Sequence, residues 1–233
     1  MISQVFIKIF GVIYTLYLTN KNGFGDEGNA IYMSGYQIYA LLLTISSVGI
    51  PNAISKLISE KNSIHDHTNK YRILKIATFI FGTIGFIGCM ILFFSSNYIS
   101  NKILEIPDAS LGLMVLSPAI FFVSINSVLR GFFNGEGKIK ITAISQVVEQ
   151  IFKSILTILF VEVSSIFYKN DSKIMAAFAN FATTIATFFS FIYLIFRYVK
   201  LDKFIGRYRF PVDKAKTIFN RVLKCSVPIT ICS

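Results

Sequence analysis

Long unbroken apolar runs limit the fold of this 233-residue sequence more than any other feature. Six of them lie at about residues 2–19, 30–59, 73–96, 109–133, 139–166 and 174–199. Each approaches or exceeds the roughly 20 residues that a helix needs to cross a bilayer. The apolar residues are continuous, whereas a strand of a membrane β-barrel alternates polar and apolar over about ten residues. Only 15% of the residues are charged, against about 25% in an average soluble domain, too few to cover a water-facing surface. Disorder, a disulfide scaffold, a coiled coil and an ordinary soluble enzyme are disfavoured together. The expected class is all-α, a polytopic membrane helical bundle of six spans plus the start of a seventh. The seventh run opens near Val222 and reaches Ser233, about half a crossing. The sequence is therefore expected to be the amino-terminal part of something larger. Its expected divisions are a six-helix bundle over residues 1–199, a basic cytoplasmic linker over 200–221 and the start of the seventh helix over 222–233.

The first run has no positive charge ahead of it, since Lys8 sits inside, and no small-x-small cleavage pattern follows in residues 18–22. A signal peptide carries both marks, so an uncleaved first helix is expected. Short basic loops orient such proteins with their positive side in the cytoplasm. The loops after runs two and four and the stretch after run six, counted with the ends of the runs that flank them, hold 17 of the Lys and Arg residues. The alternate loops hold 4, namely Lys21, Lys102, Lys169 and Lys173. That asymmetry places the even-numbered loops and the amino terminus in the cytoplasm, with the chain a multi-pass component of the cytoplasmic membrane. The same rule accounts for the net charge of +11. A nucleic-acid partner is not expected, because no basic motif is interleaved with aromatic residues. The basic stretch 197–224 is suited to anionic lipid headgroups instead.

Signs of enzymatic chemistry are weak. Cys89, Cys225 and Cys232 include no Cys-x-x-Cys pair, and one short His65-Asp66-His67 cluster is poor support for a metal site. Neither a Walker A loop nor a Gly-x-Ser-x-Gly elbow is present. No cofactor, no metal and no catalytic residue are expected, and the chain is not read as an enzyme.

Charges inside spans are costly and ask for a reason. Lys8 lies in the first run. Two readings are open at this point: its ammonium snorkels to the headgroups, or it points into an interior cavity and attracts an anion. In the fifth run Gln146, Glu149, Gln150 and Lys153 are spaced i, i+3, i+4 and i+7 and share one helical face. A stripe of that kind faces other helices or a water-filled path, and Glu149 is expected to pair with Lys153. Gly82, Gly85 and Gly88 in the third run, and Ala176, Ala179, Thr183, Ala186 and Ser190 in the sixth, read as packing seams. Pro51 and Pro118 fall within long runs, where each removes a helical hydrogen bond.

Several motifs together carry a resemblance. The run Gly49-Ile50-Pro51-Asn52-Ala53-Ile54-Ser55-Lys56-Leu57 ends the second span, and Leu129-Arg130-Gly131-Phe132-Phe133-Asn134-Gly135 ends the fourth. Thr142-Ala143-Ile144-Ser145-Gln146-Val147-Val148-Glu149-Gln150 follows, and Gly25-Asp26-Glu27-Gly28 precedes them all. In order and in register, these resemble the signatures of polysaccharide biosynthesis transporters of the stage V sporulation protein B and lipid II flippase group. That group belongs to the multidrug/oligosaccharidyl-lipid/polysaccharide exporter superfamily. The resemblance implies the first bundle of a two-bundle transporter that works by alternating access. Its partners would be the bilayer, a second bundle or partner chain, and an anionic lipid-linked saccharide. It also implies substrate-binding roles for Lys8, Arg130, Gln146, Glu149 and Lys153, with Lys8 where the family usually has Arg and Arg130 at the cytoplasmic mouth. A cation-coupled multidrug exporter of the same superfamily is the first rival, and it would want acidic residues in the cavity. A non-transporting scaffold, or an inactive fragment, is the second.

Overall fold

The computed structural model describes residues 2–202, 217–218 and 221–222. They form six long helices: α1 (Ile2–Asn20), α2 (Gly25–Ser63), α3 (His67–Tyr98), α4 (Ser110–Gly135), α5 (Ile139–Phe167) and α6 (Ser172–Asp202). A π-helical turn, Ile99–Ile103, and a 3-10 turn, Pro107–Ala109, join α3 to α4. Among the described residues no segment is a strand, so the all-α expectation holds. Four segments there are long and apolar enough to cross a membrane: His67–Ile103, Pro107–Gly135, Ile139–Phe167 and Ser172–Leu201. The chain is a multi-pass membrane protein. Helices α1 and α2 coincide with the first two apolar runs. At 1.5 Å per residue the 39 residues of α2 extend about 58 Å, well beyond the hydrocarbon core. The expected start of a seventh span and most of the basic linker lie outside the described residues.

The helices are arranged around α4, which packs against α2, α3 and α6, while α5 lies against α6 and α1. The backbones approach most closely where α4 meets α2. A Cβ added at Gly131 would stand 2.8 Å from both the Pro51 carbonyl oxygen and Ile54 Cβ. One at Gly135 would stand 2.7 Å from the Ser55 carbonyl oxygen and Ile58 Cβ. No side chain fits at those distances, so the Gly-x-x-x-Gly spacing lets two helices touch backbone to backbone. The motifs that end the second and fourth runs are thus two sides of one seam. The three-glycine seam of α3 faces α4 as expected: Gly82 lies over Ile125, Gly85 over Ser124 and Gly88 over Ile120. The outer face of α3 is apolar and bare, with Phe79 76% and Phe94 79% exposed, which suits lipid.

Ion pairs lock the two ends of the bundle. At the end formed by the α2–α3 and α4–α5 turns, Asp66 caps α3 by accepting from the Asn69 backbone N–H at 3.0 Å and pairs with Lys61 at 3.2 Å. Lys70, only 1% exposed, reaches across to Glu136 at 2.5 Å, and Glu136 also holds Lys138 at 3.2 Å. Burial alone would raise both carboxyls. Hydrogen bonds from Asn69 and Lys61 outweigh it at Asp66, and Lys70 and Lys138 outweigh it at Glu136, so each is held below its ordinary carboxylate range. At the opposite end Glu162 pairs with Lys21 at 2.5 Å and accepts from the Tyr17 hydroxyl, while Lys173 pairs with Asp108 at 2.7 Å. The loops after α2 and α4 therefore share one end of the molecule. Those after α1, α3 and α5 share the other.

Candidate functional site

A cavity of about 310 Å3 opens between α1, α2, α4, α5 and α6. Its walls include Gln4 and Ile7 from α1, Tyr36 and Tyr39 from α2, Arg130 from α4, Gln146, Glu149, Gln150 and Lys153 from α5, and Thr183 and Ala186 from α6. The polar stripe read from the fifth run therefore lines a cavity, and all four of its members face it. Four of the five expected site residues meet there. Lys8 is not among them: its side chain is exposed on α1 and does not line the cavity.

The two buried cations in the wall are held differently. Arg130 is fixed in a knot of hydrogen bonds. Its Nη2 donates to Glu149 Oε2 at 2.6 Å and to Ser190 Oγ at 3.0 Å, and its Nε donates to Ser145 Oγ at 3.0 Å. The two serines are themselves tied down, because Ser190 Oγ donates to the Ser145 carbonyl at 3.2 Å and Ser145 Oγ donates to the Thr142 carbonyl at 2.7 Å. The planar guanidinium offers donors in several directions at once, so one arginine joins α4, α5 and α6. The expected pair of Glu149 with Lys153 is not formed. Glu149 turns to Arg130, which donates to it from Nη2 while two serines fix the rest of the guanidinium.

Lys153 is 5% exposed and turns away from the carboxylate. Its Nζ lies 3.8 Å above the centre of the Tyr36 ring and 5.2 Å from that of Tyr14. The ring faces carry the negative lobe of the aromatic quadrupole, and a desolvated contact of this kind is worth on the order of 2 kcal/mol. Tyr32 stacks on Tyr36 with ring centres 5.8 Å apart, and Tyr36 meets Tyr39 at 5.6 Å. Among the described residues no carboxylate pairs with Lys153. Arg130 and Glu149 cancel, so the cavity wall keeps the charge of one ammonium. Among the described residues Thr183 Oγ1 also has no hydrogen-bond partner, although it belongs to the α6 ridge of small residues.

The tyrosines were missed at the level of sequence. Their signal was present: Tyr32, Tyr36 and Tyr39 recur at i, i+4 and i+7 inside an apolar run, which puts them on one face of α2. Ser145 and Ser190 carried no comparable signal, because a small hydroxyl in a span is ordinary packing material.

Sequence comparison fits this geometry. The profile of one protein family, described as polysaccharide biosynthesis protein, matches residues 1–233. The chain belongs to that family. Its relatives include stage V sporulation protein B of Bacillus subtilis, 28% identical over 208 residues that cover 88% of this chain and 40% of the relative. The lipid II flippase MurJ of the same organism is 31% identical over 193 residues, covering 78% of this chain and 34% of the relative. The chain thus spans less than half the length of these curated relatives. Among solved structures, a MOP superfamily transporter from Pyrococcus furiosus superposes with a TM-score of 0.82 at 14% identity, over 99% of this chain and 50% of that one. The fold described here is that of one half of such a transporter.

Proposed function

We propose that this chain forms the first bundle of a flippase that moves an anionic lipid-linked oligosaccharide across the cytoplasmic membrane by alternating access. In this reading it crosses six times, begins a seventh crossing and has its amino terminus in the cytoplasm. The α2–α3 and α4–α5 turns, with Lys61, Lys70 and Lys138, form the cytoplasmic end. A second bundle, from the same or a partner chain, faces the cavity.

The observation that carries the reading is Lys153, a buried ammonium in the cavity wall with no carboxylate among the described residues to neutralise it. A permanent positive charge held by ring faces is costly unless something anionic comes to it, and a lipid phosphate or pyrophosphate supplies that partner. The neutral donors and acceptors of Gln4, Gln146, Gln150 and Thr183 stand around it, and they suit hydroxyl-rich sugars. Arg130 and Glu149 act as a brace that sets the position of α5. The rival exporter of cations needs a carboxylate open to the cavity, and Glu149 is already engaged by Arg130.

The test is transport of a short-chain polyprenyl pyrophosphate saccharide into proteoliposomes by the full-length protein. Lys153→Met is expected to lower it about 10- to 100-fold, the worth of one charge-assisted contact, and Lys153→Arg to restore part. Undiminished transport by Lys153→Met overturns the assignment. Saturable uptake of a lipophilic cation in its place would favour the exporter.

A further inference from the structure

A second hollow, of about 800 Å3, lies at the end of the bundle where α5 begins and α6 ends. It shares no wall residue with the cavity around Lys153. Lys138 and Lys140 come from the start of α5, and Arg197 and Lys200 from the last turns of α6. Ile139 and Leu201 supply apolar wall between them, and Ile139 is 64% exposed. None of the described lining residues is acidic. The nearest carboxylates in the sequence are Glu136, which is shared between Lys138 and Lys70, and Asp202, the residue after Leu201. The positive-inside rule explains why basic residues sit at this end. It does not explain why four of them converge on one hollow.

The sign of the charge decides what fills it. The sequence that continues from α6 carries Lys203, Arg207, Arg209, Lys214 and Lys216 against Asp213 alone over residues 203–216, so its net charge has the same sign as that of the hollow. The required occupant is anionic. Because apolar side chains are set among the cations at the ends of two spanning helices, it must also carry a hydrocarbon part. We propose that this hollow binds the headgroup of an anionic bilayer phospholipid, with Lys140, Arg197 and Lys200 holding the phosphate and Ile139 and Leu201 meeting the first acyl carbons. This is a site apart from the transport cavity, and it does not depend on the flippase reading.

The experiment measures lipid retention by native mass spectrometry of the detergent-purified protein, after equilibration with phosphatidylglycerol or phosphatidylcholine. Wild type is expected to retain phosphatidylglycerol selectively. The triple variant Lys140→Gln/Arg197→Gln/Lys200→Gln leaves Lys138 and its contact with Glu136 in place. It is expected to lose that retention by on the order of 100-fold, at about 5-fold per charge removed, with its weak retention of phosphatidylcholine unchanged. If the triple variant does not fold, the surface variants Lys140→Gln and Lys200→Gln carry the same test, at about 5-fold each. Equal retention of phosphatidylglycerol by wild type and variants overturns the proposal. So does its complete displacement by inorganic pyrophosphate, which would mark the hollow as a site for a soluble anion.

Discussion

Arg130 and Lys153 are two buried cations in the wall of one cavity, and the protein treats them in opposite ways. Arg130 has a carboxylate and two serine hydroxyls within 3.0 Å, and those partners come from α5 and α6. Lys153 has the rings and hydroxyls of Tyr14 and Tyr36 and, among the described residues, no carboxylate. A guanidinium satisfied on several sides has little left to offer a ligand, whereas an ammonium on tyrosine rings keeps most of its attraction for an anion. Burial and charge alone would have ranked the two together. Their partners separate a structural cation from one free to meet a substrate.

The largest effect expected from breaking this contrast is on stability. Glu149→Gln leaves the Arg130 charge buried and without its anion, which costs roughly 3–5 kcal/mol. The melting temperature of the purified protein should fall sharply, and the double variant Arg130→Met/Glu149→Met should recover most of the loss. Lys153→Met, in contrast, should leave the melting temperature near that of wild type while transport drops about 10- to 100-fold, the worth of one charge-assisted contact.

A smaller effect sharpens the comparison by moving the helix that carries Arg130. Gly135→Ala places a methyl group 2.7 Å from the Ser55 carbonyl oxygen and should destabilise by about 1–3 kcal/mol. Gly82→Ala meets Ile125 at 3.8 Å, an ordinary contact, and should be close to neutral. Thermal unfolding of the two variants side by side checks both.

The smallest effect concerns a third buried cation, Lys70, which like Arg130 has its carboxylate. Glu136 and Asp66 are both held below their ordinary ranges when folded. Their contribution to stability is therefore fully present above about pH 4.5, near the ordinary Asp and Glu values. It is lost as the pH falls through the lowered values. A melting series from pH 6 to pH 3 should show the decline, and Glu136→Gln should flatten it. A curve unchanged by Glu136→Gln would remove this end of the bundle from the account.

Much of this was legible in the sequence, because membrane helices announce themselves through continuous apolar runs and a polar stripe through its i, i+3, i+4, i+7 spacing. The stripe on α5 and the three-glycine seam of α3 are where that spacing puts them. What spacing does not encode is which neighbour a long side chain chooses. Glu149 had Lys153 one turn away on its own helix, yet it is paired with Arg130 on α4, whose two serine supports become neighbours only after folding. Lys8 shows the same limit in reverse. Its depth in the first run was readable, but the direction it faces depends on how α1 is rotated against α5, and its side chain is exposed there and outside the wall that holds Lys153. Gly131 and Gly135 were visible as motif residues, while their partner, the backbone of α2 from Pro51 to Ile58, lies too far along the chain for any local pattern to join them.

The most direct test sets the two cations against each other in one transport assay. Full-length protein carrying Arg130→Met/Glu149→Met, or carrying Lys153→Met, is reconstituted into proteoliposomes and supplied with the polyprenyl pyrophosphate saccharide. If Lys153 meets the substrate and Arg130 braces the helices, the double variant transports at a rate near wild type and Lys153→Met transports about 10- to 100-fold more slowly. Transport surviving in Lys153→Met but lost in the double variant would contradict the account and hand the substrate to Arg130.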